Sequence, residues 1–108
     1  MPSPRLPNHL RANRTRLALF QDDVAFLLGK EDGKKVSRYE MLLHLPNLET
    51  ALAYEAIYKR PVSELFPSLY EQVERKVTER AKVLAEKQSG NGGPHFDLRQ
   101  KALAELAA

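Results

Sequence analysis

Between Lys30 and His44 the chain gathers Lys34, Lys35, Ser37 and Arg38. These side chains are hydrogen-bond donors. Lysine and arginine pair with phosphate oxygens or with O6 and N7 of guanine, and the forked head of arginine bonds twice. Arg38 is therefore the first choice for a group that reads a base edge, and Lys34 the second. Lys35 and Ser37 suit phosphates, with Lys30 and His44 flanking them. Taken alone, KKVSR reads sooner as the solvated side of an amphipathic helix than as a binding edge. His44 has no nearby histidine, and the chain has no cysteine, so it is a poor metal ligand. The sequence offers no paired carboxylates, activated nucleophile, glycine-rich phosphate loop or metal spacing, so neither an enzyme nor a cofactor is expected.

The length of 108 residues allows one ordinary domain, or a small domain with an appendage. With 43% apolar and 29% charged residues the composition is globular rather than disordered. The net charge of +3 is unevenly placed: residues 1 to 45 hold eight Lys or Arg against five Asp or Glu, whereas residues 46 to 108 hold nine of each. That asymmetry suits a first half facing a polyanion. The opening MPSPRLPNHL lacks the apolar core of a signal peptide, and no apolar run is long enough for a membrane span, so a cytoplasmic protein without membrane contact is expected.

The elements that would position the donors follow from spacing. After a proline-rich arm, SPRLPN, a first helix is expected over about 9–19 with Leu10, Leu17 and Ala18 on one face. A second buries Val24, Ala25, Leu27 and Leu28 and stops at Gly29. Asp32 is placed to cap a third over about 33–44, with Val36, Tyr39 and Leu43 on its apolar side and Gly33, Lys34, Lys35, Ser37 and Arg38 facing outward. Asn47 caps a fourth, over about 48–59, that would bury Leu48, Leu52, Ala56 and Ile57. Ser63 caps a short fifth turn burying Leu65 and Phe66 and closed by Pro67. Residues 68–88 form a long amphipathic helix with Leu69, Val73, Val77, Ala81 and Leu84 on one side. SGNGGP is a linker or tight turn, and a last segment carries Leu98, Ala102, Leu103 and Leu106.

Residues 14–66 resemble the Cro and lambda-repressor type of helix-turn-helix, the Xre-like family of regulators. The resemblance rests on Arg14 in the first helix, FQDDVAFLLG at 20–29, VSRYE at 36–40 and PNLETALAYEAIYKRPVSELFP at 46–67. It implies a five-helix repressor-like helix-turn-helix domain over 1–67, and with the long amphipathic helix and short C-terminal helix that spacing predicts over 68–108 the expected fold is all-α. It further implies a sequence-specific DNA-binding regulator, expected to be a repressor, that inserts the helix at 33–44 in the major groove of double-stranded DNA. Gln21 matches a glutamine that holds a phosphate, and Arg14 and Glu40 match positions that form an internal ion pair. Two features depart from the pattern. Six residues separate Gly29 from Val36, one more than usual, and the apolar MLLHL replaces a polar turn, so that the reading helix would run a turn longer.

Regulators of this type work as dimers, and the apolar sides of the two C-terminal helices offer a homodimer surface. Packing back within one chain is the alternative for those helices. The same fold also serves as a protein-interaction module, such as an antitoxin whose C-terminal helices hold a partner protein.

Overall fold

A computed structural model describes residues 8–87 and 96–108, apart from the side chain of Phe96. The arm before Asn8 and the SGNGGP run lie outside the described residues. The described chain is helical, with α1 (Leu10–Arg16), α2 (Gln21–Leu28), α3 (Gly33–Glu40), α4 (Leu48–Tyr58), α5 (Val62–Leu65), α6 (Pro67–Lys87) and α7 (Phe96–Ala107). It divides into two compact units, Met1–Leu69 and Tyr70–Ala108.

The core of the first unit is built from one or two side chains per helix. Leu10, Val24, Ala25, Val36, Tyr39, Tyr54, Tyr58, Leu65 and Phe66 are buried together, with Leu19, Leu28, Leu42, Ile57, Val62 and Leu69 packed on their margins. Three tyrosines form its centre. The rings of Tyr39 and Tyr54 meet edge to face at 6.1 Å, and those of Tyr54 and Tyr58 stack at 5.7 Å. Such pairs contribute about 0.5–1.5 kcal/mol beyond the area they bury.

Local chemistry sets the helix ends. Asp32 accepts a hydrogen bond from the Lys34 amide at 2.9 Å and Asn47 accepts one from the Thr50 amide at 2.8 Å, so two of the three expected caps are in place. Gly29, at φ 76°, ends α2 with the Lys30 amide donating to the Ala25 carbonyl at 2.8 Å. α1 and α3 end in the same left-handed turn without glycine. Ala18 stands at φ 57° and Leu42 at φ 56°. The Leu19 amide donates to the Arg14 carbonyl at 3.1 Å, and the Leu43 amide to the Arg38 carbonyl at 2.9 Å. Both helices are consequently shorter than periodicity suggests. α3 stops at Glu40 rather than running into MLLHL, because the paired capping bonds take the last carbonyls and Leu42 lies partly buried on the core.

Other expectations are corrected by packing. Leu48, Leu52 and Ala56 are exposed, and α4 buries Thr50, Ala51, Tyr54 and Tyr58 instead, with only Ile57 of the expected set against the core. α4 is apolar on nearly every side, and the ring contacts select the tyrosine face. Leu17, Leu27 and Leu43 are likewise exposed. Pro67 opens α6 rather than closing α5: its missing amide costs nothing at a first helical position, where no partner exists. Pro61, not Ser63, precedes α5, and the Glu55 carboxylate accepts the Val62 amide at 2.9 Å.

Within the second unit Ala81 of α6 and Leu103 of α7 are buried, whereas Val73, Val77, Val83, Leu84, Leu98 and Leu106 are exposed. No described helix is long and apolar enough to cross a membrane.

The tyrosine centre has a titration consequence. Burial pushes the Tyr58 hydroxyl up to about 12 and holds Tyr54 still higher, and among the described residues neither hydroxyl meets a hydrogen-bond partner. An unfolded tyrosine ionises near 10. Above that pH the unfolded chain releases protons that the folded one retains, so stability is full below pH 10 and falls as pH rises toward the folded value. The slope is about 1.4 kcal/mol per pH unit for each tyrosine. Tyr58→Phe is expected to leave stability at pH 7 unchanged or slightly raised, since no bond is lost, and to halve the alkaline loss. Urea melts from pH 9 to 11.5 check both parts; an equal alkaline loss in the variant would refute them.

Candidate nucleic-acid interface

α3 has an inner and an outer side. Gly33, Val36 and Tyr39 are buried, and Glu40 is nearly so. Lys34 and Arg38, four residues apart and therefore stacked on one face, are exposed at the centre of the opposite side, with Lys35 and Ser37 on its two flanks. None of Lys30, Lys34, Lys35 and Arg38 forms an ion pair among the described residues. These four cations outnumber the two carboxylates of the same stretch, Glu31 and Asp32, so the helix and its preceding turn carry a net positive charge.

Each flank borders a groove. On one side Lys30, Lys35, Arg38 and His44 converge with Tyr39, Leu45 and Asn47, and no carboxylate lines this cleft. Nearer the turn, Glu31 and Asp32 join Lys30, Lys34, Lys35 and Arg38. The other flank brings Ser37 together with Arg11, Arg14, Gln21 and Asp22. The Ser37 hydroxyl donates to Met41 Sδ at 3.8 Å.

The back of α3 is fixed by an ionic network. Arg14 Nε donates to Glu40 Oε2 at 2.7 Å and its Nη2 to Oε1 at 3.1 Å, while Nη1 donates to the Leu19 carbonyl at 3.1 Å. This forked pair is strong in geometry and places α1 against the end of α3. Its hydrogen bond to Glu40 holds the Arg14 guanidinium above its ordinary value. Gln21 joins the same network, its Nε2 donating to Glu40 Oε1 at 3.3 Å. Its position at the start of α2 is as expected, but Asp22 and Asp23 share that first turn. One amide proton of Gln21 is spent on Glu40. Asn8, which sequence reasoning did not single out, donates to the Tyr39 carbonyl at 3.1 Å and accepts the Leu10 amide at 3.0 Å, tying the start of α1 to the end of α3.

Gly33 is not part of the outward face. It is buried where α3 meets the start of α2, and its amide donates to Asp22 Oδ1 at 2.9 Å. A Cβ there would lie 2.7 Å from that oxygen and 3.2 Å from the Gln21 carbonyl carbon. The carboxylate could swing away only by giving up its bond, and the backbone could not. Gly33→Ala is therefore expected to cost about 1–3 kcal/mol of folding stability by overpacking, readable in urea melts. A variant as stable as the parent would show that the two helices are not in the close contact described.

Among the described residues no group of three or more His, Cys, Asp or Glu is gathered as metal ligands would be. Comparison with protein-family models, with curated proteins and with solved structures finds no match for the chain.

Proposed function

We propose that the chain is a sequence-specific DNA-binding regulator of the Cro and lambda-repressor type. In this reading α2 and α3 form the helix-turn-helix, and α3 enters the major groove. The observation that carries it is the outer side of α3: Lys34 and Arg38 stand exposed and unpaired, on a helix whose back is locked by Val36, Tyr39 and the Arg14–Glu40 fork. Arg38 and Lys34 read base edges, while Lys35, Lys30 and His44 on one flank and Ser37 and Gln21 on the other contact phosphates. No residue is assigned a catalytic role.

Repression by occupying an operator is the corresponding mode of action, in the cytoplasm. The exposed Val73, Val77 and Leu84 of α6 and Leu98 and Leu106 of α7 favour a protein partner, and a second copy of the chain is the partner proposed. Two copies present two reading helices to half-sites about one helical turn apart. Fluorescence anisotropy with a mixed-sequence duplex tests the electrostatic part. Affinity should fall linearly on logarithmic axes from 50 to 200 mM salt with a slope of about three or more, the mark of several neutralised phosphates. Absence of binding at the lowest salt would end the proposal.

A further inference from the structure

We infer that the first unit carries a second binding site, a cleft in which Arg16 and Arg60 hold a small carboxylic acid in its ionised form. The cleft opens between α1, α5 and the turn that follows α4, and has a volume of about 560 Å³. It takes no residue from α3 or from the grooves beside it. Its size lies within the roughly 300–1,000 Å³ of small-molecule sites.

The floor of the cleft is fixed by hydrogen bonds in series. The His9 amide donates to the Leu65 carbonyl at 2.9 Å and Asn13 Nδ2 to the His9 carbonyl at 2.8 Å. Arg16 Nη2 then donates to Asn13 Oδ1 at 3.2 Å and to the Tyr58 carbonyl at 3.3 Å. Both of these acceptors are neutral. Among the described residues the Nε and Nη1 of Arg16 meet no acceptor, and neither Arg16 nor Arg60 forms an ion pair. Arg60 reaches the same cleft through the left-handed turn at Lys59, φ 57°, that ends α4. Glu64 lines the cleft too but lies beyond ion-pair distance of both arginines. Two guanidinium groups therefore share one concave surface with no protein carboxylate in contact.

Shape and charge select the ligand class. A planar carboxylate matches the planar fork of arginine, which bonds it through two parallel N–H groups. Arg16, Arg60 and Glu64 together sum to +1, so a single negative charge leaves the cleft neutral whereas a dianion overshoots. Ala12 and Pro67 offer an apolar wall to the organic body of the acid, and the Ser63 hydroxyl is a further donor.

Sodium benzoate, titrated at pH 7 into the nitrogen-15-labelled full-length protein with ionic strength held constant by sodium chloride, tests the site by NMR. The backbone amide signals of Asn13, Arg16, Arg60 and Ser63 should shift together and saturate, with half-saturation on the order of 10 mM for a ligand of this size. Benzamide, the neutral analogue, should shift none of them, and sodium sulfate should bind more weakly than benzoate. Arg60→Gln, which breaks no bond of the fold, should raise the half-saturation concentration about tenfold, the worth of one hydrogen bond between charged groups. Glu64→Gln should lower it. A response that never saturates, an equal response to benzamide, tighter binding of sulfate, or an Arg60→Gln protein that binds benzoate as the parent does would overturn the inference. Every outcome is read on the protein without DNA, so none of them bears on the role of α3.

Discussion

Glu40→Ala is expected to lower the stability of the first unit by about 3 kcal/mol, the lower end of the cost of breaking a buried ion pair. The Glu40 side chain is 3% exposed and that of Arg14 16%, so the arginine left behind is screened only slightly by water. It has no means of escape by losing its proton, since Glu40 only raises an already high value and arginine stays charged at any workable pH. Gln21 loses its acceptor at the same time. Small domains hold about 5–15 kcal/mol in all, so the variant should lose roughly a fifth to three fifths of its stability. Urea denaturation of the single and double variants makes the test sharper. Arg14→Met with Glu40→Leu removes both charges and should recover much of the loss, because a buried pair costs nearly as much to desolvate as it returns. A double variant less stable than Glu40→Ala would mean that the pair is a net source of stability, contrary to this expectation.

The second large effect concerns base reading. Arg38→Ala should reduce discrimination between a preferred site and a scrambled duplex by about 1–3 kcal/mol, or roughly five- to more than a hundredfold, while leaving weak general binding largely in place. The reason is positional. Arg38 lies on the outer centre of α3, unpaired, with a planar fork suited to O6 and N7 of one guanine. Lys34, one turn earlier on the same face, should show a smaller effect of the same kind. Gln21→Ala, on the flank, should weaken all sequences alike. Anisotropy with both duplexes separates these outcomes, and an Arg38→Ala protein with undiminished preference would remove Arg38 from the reading edge.

The part of this arrangement that was legible in the sequence is the part fixed by neighbours in the chain. Asp32 and Asn47 could be placed as caps because a cap is made within three residues, and Val36 and Tyr39 could be placed inward because they repeat at helical spacing on an otherwise polar helix. Arg14 and Glu40 could be paired only through the family resemblance, being 26 positions apart.

What could not be read is decided across the fold. α4 has apolar residues on almost every side, so nothing local chooses Tyr54 and Tyr58 over Leu48 and Leu52; the ring contact with Tyr39 chooses them. Leu42 turns left-handed without being glycine, a conformation that costs about 1–2 kcal/mol and leaves no mark in composition. Gly33 reads as a surface residue beside two lysines, and only the approach of Asp22 and Gln21 shows why a side chain is excluded. Asn47 shows a cap in its sequence, while its place in the basic cleft depends on how α4 meets α3.

The central claim is that α3 reads a particular DNA sequence. The most direct measurement is selection of bound duplexes from a random pool by the full-length protein, followed by sequencing. The account predicts enrichment of a guanine-containing half-site repeated with two-fold symmetry about one helical turn apart, with the guanine preference lost from the pool selected by Arg38→Ala. A pool that remains random after selection, although binding at low salt is retained, would contradict it and leave only a nonspecific polyanion surface.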